Sequence, residues 1–351
     1  MKRKHLIILF LIIILVVVAL FLIFNRGTGT FKNNTKEFAV KDTASITKVF
    51  LADKRNHTVL LEKIGTGDWL LNGTYKARNS GINLLFETFK HLVPKYPVPK
   101  SGHDNIVAQL AAASIKVEIY QTVNRIDLFG IQMFPHEKLT KTYYVGGATQ
   151  DNMGTFMLIE GADVPFVVQL LGFRGYVAPR YSTIEKDWRD HTVFKNSLAD
   201  IQQVIMEIPA EPENSFKIVK ENQDLKLFDF NTNELIPQYD TLRLLNFLTA
   251  FTDIRYEALL NDMATDRKDS IIHRTPKNIL TVIDSKGDST TIITFFKPND
   301  NKAVDMEGNI YVHDLDRMYA LINEKRDFVL IQYYVFDKVL RPLSYFTISE
   351  D

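Results

Sequence analysis

The body of the chain is written twice, so whatever fold it adopts has to be built from two similar parts. The first copy opens on the alternating segment Ile46 to Leu51, continues through Thr58 to Lys63 and Asp68-Trp69-Leu70, and reaches Ile82 to Leu92. In that last stretch the apolar residues fall at 82, 85, 86, 89 and 92, the spacing of a helix. The second copy opens on Ile201 to Ile208, continues through Ser215 to Lys220 and Leu225-Lys-Leu227, and reaches a helical pattern over Leu242 to Phe251 with Asp240 placed to cap it.

The parallel continues beyond the helices. Ile115 to Tyr120 matches Ile279 to Asp284, Thr142 to Val145 matches Thr291 to Thr294, and Gly154 to Leu158 matches Gly308 to Val312. Asp163 to Val168 in one copy and Asp316 to Leu321 in the other read as short closing helices, the first with Asp163 as cap and Pro165 in its first turn. Two strands, a helix, three strands and a helix, repeated, predict an α+β protein of two units, 46–195 and 196–351, each a mainly antiparallel sheet with packed helices.

Ahead of these units, residues 6–24 are an unbroken apolar run of Leu, Ile, Val and Phe with a single Ala. As a helix the run would be about 28 Å long, close to the ~30 Å hydrocarbon core of a bilayer. Its composition predicts a transmembrane signal anchor. Lys2, Arg3 and Lys4 in the tail 1–5 point to a cytoplasmic N-terminus. The expected placement is therefore single-pass in the inner (cytoplasmic) membrane, with the bilayer contacting 6–24 and the C-terminal body on the periplasmic or extracellular side. No small-x-small cleavage site follows Phe24. Residues 25–45, polar and glycine-bearing, read as a spacer.

Composition removes several classes of function. The 351 residues contain no cysteine, which excludes disulfides, cysteine-ligated metals and thiol catalysis. Lys+Arg and Asp+Glu each number 42, and the first 24 residues hold three bases and no acids. The remainder thus carries 39 bases against 42 acids, without the basic excess of a nucleic-acid binder.

The segment Tyr144-Val-Gly-Gly-Ala-Thr-Gln-Asp-Asn-Met-Gly-Thr-Phe-Met157, with Gly172-Phe-Arg-Gly-Tyr176, resembles domain-of-unknown-function family 4340 of Bacteroidota-type cell envelopes. Trp69, Ile115 to Tyr120, Trp188-Arg189 and Ser215-Phe216 fit the same resemblance. It implies an exported or tethered protein of repeated α+β units, with envelope or ABC-type transport proteins as partners, and it supplies no catalytic residues.

The residues themselves offer little chemistry. The eight histidines form neither His-x-His nor His-Glu-x-x-His, so no metal site or cofactor is expected. Gly-x-Ser-x-Gly is absent. Gly146-Gly147 and Gly154-Thr155 lack the Gly-Lys-Ser/Thr of a phosphate loop and read instead as a hairpin connection needing positive φ. Two carboxylate pairs, Glu160 with Asp163 and Asp187 with Asp190, are placed as capping or solvated acids.

One cluster stands out between the copies: Phe173, Arg174, Tyr176, Arg180, Tyr181, Trp188 and Arg189. Arg, Tyr and Trp dominate binding hot spots, and the same types also pack as arginine stems on aromatic rings. The expected function is a non-catalytic protein-interaction or transport-accessory module. The alternatives are a glycan- or peptide-binding domain using this cluster, and a hydrolase of envelope polymers using the acids beside Trp188.

Overall fold

The computed structural model describes residues 37–347 apart from 66, 129–130 and 222–223, together with scattered residues between 5 and 19. The chain divides into two compact units, Met1–Asp190 and His191–Asp351.

The N-terminus requires a correction. Residues 5, 8, 10–17 and 19 are helical. Among the described residues no helix is long and apolar enough to cross a membrane. The transmembrane signal anchor expected over 6–24 is therefore not supported. The single-pass inner-membrane placement with an outward-facing body, which rested on it, is likewise not supported. Residues 6, 7, 9, 18 and 20–24 of that segment lie outside the described residues.

In the first unit Phe38 and Val40, ahead of the strand at residue 46, are already buried in the core. Its elements run β1 (Ile46–Ala52), β2 (Thr58–Ile64), β3 (Asp68–Leu71), β4 (Tyr75–Lys76), α1 (Asn79–His91), β5 (Leu92–Pro97), α2 (Lys100–Ala113), β6 (Ile115–Leu128), β7 (Ile131–Ala148), β8 (Thr155–Ile159) and β9 (Phe166–Leu170). All strands join one antiparallel sheet in the order β4-β3-β2-β1-β6-β7-β8-β9-β5.

The second unit runs β10 (Thr192–Phe194), β11 (Ile201–Glu207), β12 (Phe216–Glu221), β13 (Asp224–Asp229), α3 (Thr241–Thr249), β14 (Ile254–Arg255), β15 (Ala258–Leu259), α4 (Thr265–Ile272), β16 (Asn278–Asp284), β17 (Ser289–Pro298), β18 (His313–Ile322), β19 (Asp327–Gln332) and α5 (Tyr333–Phe336). Its main sheet has the order β13-β12-β11-β16-β17-β18-β19-β15, and β10 pairs with β14 separately. Placed beside the first order without β4, the two are the same topology, strand for strand.

The correspondence extends to an irregularity. The pairing of β1 with β6 shifts between Ile46 and Lys48, and that of β11 with β16 shifts between Ile201 and Gln203. Ile46, Val49 and Leu51 are buried, as are Ile201, Val204 and Met206. A three-residue step followed by a two-residue step keeps apolar side chains on one face only if a bulge absorbs the extra residue. That spacing is written into both copies.

Each sheet is covered on both faces. In the first unit α1 buries Ile82, Leu85 and Phe89 against Val117, Ile119, Tyr143 and Met157. On the other face α2 sets Ile106 and Leu110 against Phe156 and Leu158. In the second unit α3, capped by the Asp240 carboxylate accepting from the Arg243 amide at 3.0 Å, buries Leu244, Phe247 and Leu248. Ile271 of α4 packs with Phe295, Tyr319 and Phe328 on the opposite face.

This two-sided burial explains the misread elements. Asp163 to Val168 and Asp316 to Leu321, expected as helices, contribute to β9 and β18. In β18, Met318, Ala320 and Ile322 serve one core while Tyr319 and Leu321 serve the other. A strand with two buried faces loses the apolar–polar alternation and resembles a buried helical turn. Gly308 to Val312, expected as a strand, lies in the β17–β18 connection, so β18 is the true partner of β8.

Candidate functional site

The aromatic–arginine cluster separates into two groups. Tyr181 is fully buried, its hydroxyl 3.2 Å from that of Tyr143, and its ring tilts against Phe89. Burial pushes both phenols above their ordinary range. Trp188 is 4% exposed. Its Nε1 donates to the Ser182 carbonyl at 2.8 Å, and its own carbonyl accepts from the Arg78 amide at 2.7 Å. Arg189, also buried, lies with its guanidinium carbon 3.4 Å from the centre of the Tyr75 ring and Nη1 3.5 Å from Glu185. A bridge between Ala77 and Arg189 ties this stretch to the edge of the sheet. Residues 181–190 are thus a strap closing the first unit's core across β4 and α1.

Asp53 fastens the middle of the strap, accepting from the Thr183 hydroxyl at 3.0 Å and from His57 Nδ1 at 2.8 Å. Desolvation opposes ionisation of this carboxyl. The bonds from the His57 ring, the His57 and Arg55 amides and Thr183 outweigh it and hold the group at about 2. Asp187 accepts from Ser182 Oγ at 2.5 Å. Trp188 is buried against Gly81, so it forms no open platform beside the acids.

Phe173, Arg174, Tyr176 and Arg180 stay at the surface of the same unit. Arg180 stands 4.6 Å above the Phe173 ring and donates through Nη1 to Thr88 Oγ1 at 3.0 Å. Phe173 and Tyr176 are part-exposed and Arg174 is exposed.

The glycines of the Tyr144–Met157 segment correct another expectation, since none of them has positive φ; Asn152 takes that role in the turn, at φ 55°. A Cβ on Gly146 would lie 2.5 Å from Leu110 Cδ2, and one on Gly154 would lie 2.5 Å from Val167 Cγ1. Close approach of α2 and β9 requires these glycines. Among the described residues no three His, Asp or Glu side chains converge on a metal position.

A feature that the sequence reading missed is a ribbon. β6 and β7 span 14 and 18 residues, whereas their counterparts β16 and β17 span 7 and 10. β1 follows β6 only to Gln121, and β8 joins β7 only from Tyr143. Beyond Glu137, among the described residues, the two strands pair with each other alone, through Val123–His136 to Leu128–Ile131. Glu137 anchors the base, accepting from Lys48 Nζ at 2.6 Å and Thr47 Oγ1 at 2.7 Å; the Lys48 bond holds its carboxyl below the usual range. Along the ribbon Met133 is 45% and Phe134 56% exposed, and Phe134, preceding Pro135, has φ 58°. The absence of matching length in the second copy was the available sequence signal.

No family model, curated protein or solved structure matches the chain. The resemblance to family 4340 therefore stands on the sequence motifs alone, and function has to be read from the chain's own residues.

Proposed function

We propose that the chain is a non-catalytic protein-interaction module whose contact element is the β6–β7 ribbon of the first unit. The carrying observation is the ribbon itself: two strands that leave their sheet and hold Met133 and Phe134 in solvent. An isolated two-stranded ribbon is marginally stable in water, and methionine and aromatic side chains are enriched where proteins meet. A partner laid along the ribbon would supply the apolar cover that the sheet's own helices do not extend to it.

Photo-crosslinking tests the reading. The full chain carrying a benzophenone amino acid at position 134 is irradiated in the producing cell, with position 56, at the exposed β1–β2 turn, as control. Discrete adducts from 134 that are absent from 56, and that are competed away by excess unlabelled parent chain but not by a chain whose residues 123–136 are replaced by a two-residue Asn-Gly turn, are the expected result. Equal labelling from both positions overturns it.

A further inference from the structure

We infer that the groove between α2 and the β7–β8 turn of the first unit binds an uncharged saccharide. The groove encloses about 790 Å³, within the 300–1,000 Å³ typical of small-molecule sites. Its floor is apolar, formed by Val98, Ile106, Phe156 and Val167. Its rim carries Tyr96, 44% exposed, and the side chains of Asn105, Gln109, Gln150 and Asp151.

Three carboxamides in one groove present both donors and acceptors, which matches ligand hydroxyls that are themselves both. Asn105 Oδ1 accepts from Gln109 Nε2 at 3.4 Å, which leaves the Asn105 amine and the Gln109 carbonyl for a ligand. Asp151 is fixed in the turn: its Oδ1 accepts from Thr149 Oγ1 at 2.5 Å and from the Met153 amide at 3.0 Å. The Thr149 bond, followed by that of Met153, lowers its pKa, so it is ionised at neutral pH. Both bonds fall on one oxygen, leaving Oδ2 as a held acceptor. The nearby Lys95 favours the charge of Asp151 and stands 5.8 Å from the Tyr96 ring centre. Asp151 is the one charged residue of that lining, and its negative charge selects against anionic sugars. An exposed aromatic ring beside amides and a carboxylate suits the C–H face and hydroxyl edge of a sugar ring.

Comparison of the two copies supports a dedicated role. At the equivalent place in the second unit, Arg267 of α4 reaches Asp300 of the β17–β18 connection at 3.3 Å, and Lys297 bonds the same carboxylate at 3.3 Å. That ion pair ties helix to connection, whereas among the described residues of the first unit no salt bridge joins α2 to the β7–β8 turn.

Calorimetric and amide-NMR titrations of the full chain with maltotetraose, cellotetraose and chitotetraose, with tetragalacturonate as the anionic control, test the assignment. Saturable binding of at least one neutral tetramer is expected, with shifts at Asn105, Gln150 and Asp151. Tyr96→Ala and Gln150→Ala, both at exposed positions, should each weaken it by about tenfold or more without moving the melting temperature. Shortening the ribbon should leave it unchanged, which separates this site from the proposed protein contact. Failure of all three neutral tetramers to saturate by about 10 mM, stronger binding of tetragalacturonate, or binding that survives both variants overturns it.

Discussion

Replacing Trp188 with alanine distinguishes a packed strap from a binding surface. The indole is buried, lies 3.5 Å from where a Cβ added to Gly81 would sit, and spends its N–H on the Ser182 carbonyl. Truncating a buried tryptophan costs about 3–5 kcal/mol in lost contacts and residual cavity. For a unit of this size each kcal/mol moves the midpoint by roughly 2–4 °C, so the first unit should melt about 6–20 °C lower. The chain provides its own probe: it has two tryptophans, Trp69 and Trp188, both in the first unit. In Trp188→Ala the fluorescence of Trp69, itself 4% exposed, reports unfolding of that unit alone. Trp188→Phe, which keeps an aromatic ring but loses the N–H, should fall between. A midpoint within ~2 °C of the parent would refute the packing described for the strap.

Gly146→Ala should cost about 1–3 kcal/mol, read from urea midpoints. Its Cβ meets the Phe156 carbonyl oxygen at 3.1 Å as well as Leu110, whereas Gly147→Ala, with nothing within 4 Å, should change stability by less than about 0.5 kcal/mol. Asp53 supplies a pH test. Its folded pKa, about 2, lies below the ordinary carboxyl value of 3.8, so its contribution is complete above the unfolded value and is lost as pH falls through the folded one. Urea midpoints of parent and Asp53→Asn should therefore differ at pH 7 and converge as pH approaches 2; a constant gap would contradict the bond set drawn around this carboxylate.

Much of the fold was legible because local spacing and burial agree. The step from Ile46 to Val49 to Leu51, repeated as Ile201 to Val204 to Met206, encodes a bulged strand in each unit. The 82, 85, 89 spacing and the Asp240 cap locate α1 and α3. Legibility failed where a strand is buried on both faces, as in β18, and where an apolar run met the length rule for a membrane span without a helix of that length in the described fold. The candidate site was half visible for a related reason. Tyr181, Trp188 and Arg189 have the composition of a hot spot, but composition does not distinguish a ring that packs from a ring that binds. The ribbon was hidden because its strands have ordinary strand patterning, and its excess length shows only when β6 and β7 are set against β16 and β17.

The doubled topology underlies all of this, since ribbon and groove are recognised as the places where one copy departs from the other. The chain has no cysteine, so introduced pairs can read its register directly. Lys48 faces Tyr120 beside the first bulge, and Gln203 faces Ile283 beside the second. Directly opposed residues hold their Cβ atoms about 4.5–5.5 Å apart, and their Cα separation lies within disulfide range. Double-cysteine variants 48/120 and 203/283 should both oxidise to an internal disulfide, while 48/119 and 203/282, one residue out of register, should stay reduced. Closure of the first pair with 203/283 remaining reduced would show that the two units do not share one strand pairing.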